Sequence, residues 1–486
     1  MSSVTRQLAA FAVSTDVDDL PAEVIHQAER CLLDTLGAAV AGSVHADSGR
    51  IIQDAVAEFD EPPIATVIGS GMHKSAMTAA LANGVMAHAL ELDDGSKHAT
   101  YHPGCSIVPT ALALGEELVL GGAVVARAIA LGYEVSLRIG SAINPGHYLK
   151  GFHPTGTIAH FGTTTTAAVL FGLNDDQLVN ALGLAGSMAS GINQYEADGT
   201  VVKHLHPGNA ARDGILAALM ARKGFTGPEE VIEGRLGFCH CFADECDFTA
   251  MTAGLGEHWH VLETYFKPYC SCRYVHYAIE CIHQILEDSP LTPESIERVL
   301  VRTHRNAKQG SDIPEFRTPL HARTSIQHGI SAVLVNGEAG LGQYTEEAIR
   351  DERIRDMARR ISVEFDEQLQ KSYPDPRPMA VEVQTTDGRR HAARVDYAKG
   401  DPLNPMTDTE LCEKFFDVTA GILPEDTAQA VIDMCLSVQS IDDTGELMYL
   451  VSGVAAPPAP LPGGAEENGL AKQARPGAAD PRPSGR

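Results

Sequence analysis

Residues 155–170, TGTIAHFGTTTTAAVL, and 209–222, NAARDGILAALMAR, are dominated by Ala, Gly and Thr with scattered Leu and Ile. Side chains this small let helix backbones approach closely inside a protein, so both stretches predict core helices. Their His and Arg content argues against a membrane setting. The same texture, Ala-, Leu- and Gly-rich with few β-branched alternations, runs from residue 4 to about 264 and predicts an all-helical body. Near its start, Asp19-Leu20-Pro21-Ala22-Glu23 puts Pro and Glu where a first helical turn tolerates a missing N–H and favours negative charge. A helix is expected from there to about Ala41.

The texture changes after Tyr265. Residues 296–303, IERVLVRT, and 380–395, AVEVQTTDGRRHAARV, alternate in the manner of strands, and Asp387-Gly388 reads as a hairpin turn. Past Gly400 helical patterning returns in TDTELCEKFFDVTAGI and EDTAQAVIDMCLSV. The expected fold is therefore mainly α: a large helical body over 1–265 and 399–453, interrupted by a smaller α+β lid domain over 266–398. Residues 454–486, rich in Pro and Gly, read as a disordered tail.

Composition narrows the function. Lys and Arg number 37 against 64 Asp and Glu, a formal charge of −27, which disfavours nucleic acid and anionic membrane as partners. The longest apolar region, 111–132, is broken by Glu116, Glu117 and Arg127, so no membrane span is expected. The first residues lack a cationic head before an apolar core, which makes the cytoplasm the expected compartment. Ten cysteines in 486 residues are too sparse for a disulfide scaffold. Cys239, Cys241 and Cys246 lack the paired spacing of a structural zinc site and are expected to be small packed thiols; no metal is expected.

Four stretches concentrate ionisable groups around Gly or Pro turns. In 88–103, HALELDDGSKHATYHP, Glu91, Asp93, Asp94, Lys97, His98 and His102 offer carboxylate and imidazole for general acid–base work, although a solvated capping loop would look similar. In 150–160, KGFHPTGTIAH, His153 precedes a helix start that could receive a carboxylate. In 198–209, DGTVVKHLHPGN, Lys203, His204 and His206 form a cationic knot suited to an anion. In 267–276, KPYCSCRYVH, Lys267, Cys270, Cys272, Arg273 and His276 sit at the expected domain junction, where ligand clefts commonly lie. Phosphate-loop, dinucleotide, zincin and hydrolase-elbow motifs are absent, so side chains must carry the reaction. Cations beside carboxylates suit proton abstraction next to a substrate carboxylate, where they stabilise enolate-like charge.

These stretches, in this order, together with LPAEVIHQAERCLLDTLGAAVAG, ALGLAGSMASG and GDPLNPMTDTEL, resemble the MmgE/PrpD family over roughly residues 5 to 450. The resemblance implies a helical domain interrupted by an α+β lid, an active site between them, a homodimer, and no metal or organic cofactor. It also implies active-site roles for Asp93, His102, His153 and Lys203. Two departures stand out. Glu91 replaces a shorter acidic residue, and Ser325-Ile326-Gln327-His328 puts the His328 imidazole where a phenol is expected, which weighs against decarboxylation. The resulting expectation is a cofactor-independent lyase that dehydrates a small tricarboxylate of the 2-methylcitrate type. In it Lys203, His206 and Arg273 hold carboxylates, Glu91 and His98 assist binding, His102 or His153 removes the α-proton, Asp93 orients it, and His328 closes the site. The alternatives are an epimerase of an amino- or imino-dicarboxylate using Cys270 or Cys272 as a second proton carrier, a cis-aconitate decarboxylase-like enzyme, and a carboxylate-binding protein without turnover.

Overall fold

The computed structural model describes residues 2–453; the stretch expected to be a disordered tail, 454–486, lies outside them. Helix dominates, and strand is confined to one two-stranded and one four-stranded sheet. The helix expected after Pro21 runs Ala22–His45, four residues beyond the expected end, with Glu23 in its first turn, where its charge suits the dipole. Helices Ala76–His88, Gly104–Leu118 and Gly122–Ile143 pack on it, and Ala159–Leu170 and Val202–Arg222 pack on those and on each other, completing one apolar core. The small residues act as expected. A Cβ on Gly84 would lie 2.9 Å from the Gly208 Cα, and one on Gly208 would lie 2.5 Å from the Leu81 carbonyl oxygen. Only glycine lets Ala76–His88 and Val202–Arg222 come this close, and that contact sets the end of one helix beside the start of the other.

One feature of the body differs from expectation. Ala65–Val67 and Met72–Lys74 form a short antiparallel pair inside the nominally helical region. Three residues a strand are too few to produce visible alternation. The chain does return to the body at its end: Asp408–Thr419, opened by a reciprocal Thr407–Glu410 cap, packs on Ala22–His45, and residues 406–451 share its core.

The four-stranded sheet has the order Ile361–Phe365, Ile296–Thr303, Met379–Thr385, Arg390–Val395, with the first pair parallel and the others antiparallel. Both expected strand regions are present, and Gly388 takes the positive φ that the hairpin turn requires. Met379–Thr385 alternates buried and half-buried residues, and the amphipathic helix Arg273–Asp288 covers the sheet, forming a second apolar core over residues 275–398. The strand Ile361–Phe365 was not expected, because five residues cannot distinguish strand from coil by pattern. The ten cysteines are free; Cys239 is buried, Cys246 half-buried and Cys241 exposed.

Candidate active site

The close helix pair brings three of the four ionisable stretches together. His88 closes Ala76–His88, the following turn carries Glu91, Asp93 and Asp94, and the first turns of Val202–Arg222 carry Lys203, His204 and His206. His153 caps the short helix Pro154–Thr157 alongside. The imidazoles form one cluster: the His88 ring centroid lies 5.3 Å from His102, 5.8 Å from His153 and 6.1 Å from His204, and His153 lies 5.1 Å from His206. All five rings are buried or nearly so.

Polar contacts fix the orientation of each group. His88 Nδ1 lies 2.7 Å from Asp93 Oδ2, both side chains being fully buried. His102 Nδ1 lies 2.5 Å from the Asp94 carbonyl oxygen and 3.7 Å from Asp93 Oδ2. A carbonyl can only accept, so His102 Nδ1 carries the proton and, in the neutral ring, Nε2 offers the lone pair. Lys203 Nζ pairs with Glu91 Oε1, and Lys267 Nζ stands 3.4 Å from Glu91 Oε2. Asp94 accepts from Tyr133 at 2.7 Å and from the Gly104 N–H at 3.0 Å. His153 Nδ1 and His206 Nδ1 lie 2.9 Å apart, so one ring donates to the other.

This burial sets the charge state. Desolvation pushes His102 and His204 down to about 3 and His206 to about 4, and holds His153 well below its ordinary value; neighbouring cations add to each shift. These four imidazoles are neutral at physiological pH. Burial opposes ionisation of Glu91, but Lys203 and Lys267 outweigh it and hold the carboxylate well below the usual range. Burial likewise opposes ionisation of Asp93, and His88 and His102 overcome it. Asp94 goes the other way: burial, reinforced by Asp34, lifts it to about 7. The resulting site pairs ionised carboxylates and two lysines with neutral imidazole bases.

A cavity of about 820 Å³ opens on this cluster. Glu91, Lys203 and Tyr195 line one side, with Cys272, Tyr274 and Ser311 among the residues of the other. The Tyr195 ring lies 5.1 Å from His153 and 5.9 Å from His206, which connects the cavity wall to the imidazoles behind it. Asp93, His102, His153, His206, Glu91 and Lys203 are thus gathered; of these Glu91 and Lys203 line the cavity, as does Cys272.

The other residues singled out in the sequence stand elsewhere. His98 lines a separate cavity of about 340 Å³, with Glu263 and Asp375 at 4.0 and 3.9 Å. Replacing it by Ala is expected to change kcat/KM by less than about threefold, which steady-state kinetics would check. Arg273 spends its guanidinium on the Ala398 and Lys399 carbonyls, both at 2.7 Å, and stacks over Tyr265, so it has no free face for a carboxylate. His328 donates from Nε2 to the Gln343 carbonyl at 2.8 Å and packs on Phe316 and Tyr344, away from the cavity. Cys270 is buried with its thiol on the Leu90 carbonyl. Burial raises both thiols, Cys270 and Cys272, and Arg273 does not offset it.

Two residues not assigned roles from sequence belong to the cluster. His88 is bonded to Asp93, and its Nε2 has no partner. Lys267, fully buried, holds Glu91 from the second side. Both lay inside the charged stretches, but a helix-final His and a Lys before Pro carry no distinguishing signal. His88, Asp93 and Cys105 also bring three ligand-type atoms within 4.8 Å of one another. Two of the three already hydrogen-bond each other, Cys105 Sγ donates to the His102 carbonyl at 3.2 Å, and Lys267 lies close enough to stabilise the Asp93 charge, so the trio reads as a hydrogen-bonded orienting group.

Residues 6–251 match the MmgE/PrpD N-terminal domain and residues 269–438 match the MmgE/PrpD C-terminal domain. The chain is also similar along nearly its whole length to curated proteins. A cis-aconitate decarboxylase of Aspergillus terreus is 27% identical over 476 residues, covering 93% of this chain and 96% of that protein. The cis-aconitate decarboxylase of Homo sapiens is 26% identical over 471 residues, covering 94% and 96%. That of Mus musculus is 24% identical over 468 residues, covering 93% and 94%. With both halves matched in order and the motif-bearing stretches converging on one cavity, the chain belongs to the MmgE/PrpD family.

Proposed function

We propose that the chain is a lyase acting on a small di- or tricarboxylate, moving a proton at the carbon beside a carboxylate without an organic cofactor. The observation that carries this reading is His102: a neutral ring whose Nδ1 proton is committed to the Asp94 carbonyl, beside a carboxylate that two lysines share at the cavity wall. Lys203, at the cavity wall, receives a substrate carboxylate and stabilises the charge that builds on it, and Lys267 behind it holds Glu91 in place. His102 Nε2, with His153 as its neighbour, exchanges the proton. Residues 266–398 cap the cavity, and the chain works as a homodimer, for which exposed Val201 and Val202 supply apolar surface.

Two bond cleavages fit this arrangement. The similarity to cis-aconitate decarboxylases favours decarboxylation of an aconitate-type acid. In that reaction the C–C bond to one carboxylate breaks, its electron pair forms a new alkene, the original alkene pair takes a proton at the adjacent carbon, and CO₂ leaves. The sequence-based objection to it rested on His328, and that residue stands away from the cavity. Neutral imidazole bases favour dehydration of a 2-methylcitrate-type acid: the base takes the α-proton, the freed pair forms the alkene, and hydroxide leaves with a proton.

A panel of cis-aconitate, 2-methylcitrate, citrate and aspartate-type acids in deuterium oxide separates the readings. Decarboxylation releases CO₂ and places deuterium in the product; dehydration adds ultraviolet absorbance from a new alkene; epimerisation incorporates deuterium with neither. An enzyme that converts none of these acids and exchanges no α-proton would refute the proposal.

A further inference from the structure

Glu91 has a backbone φ of 56°, in the left-handed region that residues with a Cβ adopt only when their surroundings impose it. Its side chain joins Lys203 and Lys267, so the backbone at this one position decides where the shared carboxylate stands. The carbonyls on either side of Glu91 have unusual partners. Cys270 Sγ donates to the Leu90 carbonyl at 2.8 Å, and Arg323 Nε approaches the same sulfur at 3.4 Å, which occupies a sulfur lone pair and leaves the S–H for the carbonyl. Lys414 Nζ donates to the Leu92 carbonyl at 2.8 Å while bound to Asp34 at 2.5 Å. Among the described residues no loop, turn or cap backbone N–H reaches either carbonyl. Cys270 is 1% exposed and Lys414 7%, so water does not replace them readily.

We propose that Cys270 and Lys414 are positioning residues: by taking the carbonyls that flank Glu91 they hold it in the left-handed conformation and so fix the place of the Lys203 and Lys267 ammonium groups. This rests on the reading that Glu91 and Lys203 belong to the active site. The two residues come from chain segments more than 140 positions apart, and neither lines the cavity. Cys270 thereby has a role that needs no proton transfer by its thiol. Lys414 joins the returning helix Asp408–Thr419 to the site turn, so the C-terminal segment of the body contributes to the site without touching substrate.

The test compares crystal structures and kinetics of Cys270→Ala, which removes the donor, Cys270→Ser, which keeps one, and Lys414→Met. In Cys270→Ala and Lys414→Met the 90–93 backbone is expected to rearrange, Glu91 to leave the left-handed region, and its pairing with Lys203 to break. With whichever acid of the panel is turned over, kcat falls more than tenfold in both, while Cys270→Ser keeps the wild-type backbone and stays within about threefold. Should Lys414→Met fail to fold, the Ala and Ser variants of Cys270 decide alone. Glu91 retaining its positive φ and its Lys203 partner in Cys270→Ala overturns the proposal, as does an equal loss in Cys270→Ala and Cys270→Ser at equal thermal stability. If no acid is turned over, the functional reading fails, and the crystal structures still decide this one.

Discussion

Lys203→Met is expected to lower kcat/KM by about 1,000-fold or more, the scale seen when a preorganised donor to developing negative charge is removed. Lys203 is the cation that both lines the cavity and pairs with Glu91; Lys267 is fully buried behind it. Removing the Lys203 ammonium takes away a substrate carboxylate's partner and leaves Glu91, among the described residues, with Lys267 alone at 3.4 Å. An uncompensated carboxylate then repels the incoming anion from the same wall. The defect should therefore enter both kcat and KM, and Lys203→Arg should not restore it, since a planar guanidinium cannot occupy a point-charge position at Glu91. Steady-state kinetics on the converted acid check this. Activity within tenfold of wild type would show that the reacting carboxylate binds elsewhere.

The parts of this molecule legible in its sequence are those that depend on local pattern. The Ala- and Gly-rich runs announce close-packed helices because only small side chains allow backbones as near as those at Gly84 and Gly208, where an added Cβ would stand 2.5–2.9 Å from the neighbouring helix. The Asp387-Gly388 turn and the alternation of residues 379–385 announce the hairpin. Asp93, His102, His153 and Lys203 were marked by charge density near turns, and they do meet around one cluster. What could not be read is which partner each charged group takes. Arg273 and His328 carry the right chemistry for a carboxylate site, but backbone carbonyls from residues 398, 399 and 343 claim them, and nothing in the local sequence marks a carbonyl as unsatisfied. His98 lies four residues from His102, and the turn between them sends His98 into the smaller cavity and His102 onto the Asp94 carbonyl. His88 and Lys267 were overlooked for the converse reason: their importance comes from a carboxylate that a distant segment shares.

The same burial that keeps the imidazoles neutral makes the fold sensitive to acid. His102, His204 and His304 are pushed down to about 3, and His147, His206 and His328 to about 4, burial being the largest cause in each. In the unfolded chain these rings titrate near the ordinary histidine value of about 6.5. Between that value and their folded pKa the unfolded state therefore binds more protons, and stability rises with pH. Their contribution is complete above about pH 6.5 and is lost progressively as pH falls towards 4. Asp94, lifted to about 7, opposes this, because a folded carboxyl that keeps its proton favours the native state most at low pH. Glu280, also lifted to about 7 by burial, acts in the same sense, so two such groups are set against six histidines. At roughly 1–2 kcal/mol per buried ring by pH 5, the histidines prevail. The midpoint of thermal unfolding is expected to fall by at least about 5 °C between pH 7.5 and pH 5 in a buffer without carboxylates. Below pH 4 the depressed carboxylates Glu91 and Asp93 add to the loss as they are forced to protonate. A carboxylate ligand that seats on Lys203 should recover part of the midpoint at pH 5, since it binds the folded state and not the unfolded one. Thermal scans across this range would show the slope; a midpoint that is flat or higher at pH 5 would mean that the imidazoles are not held neutral, and with it the proton-abstraction reading of His102 would fall.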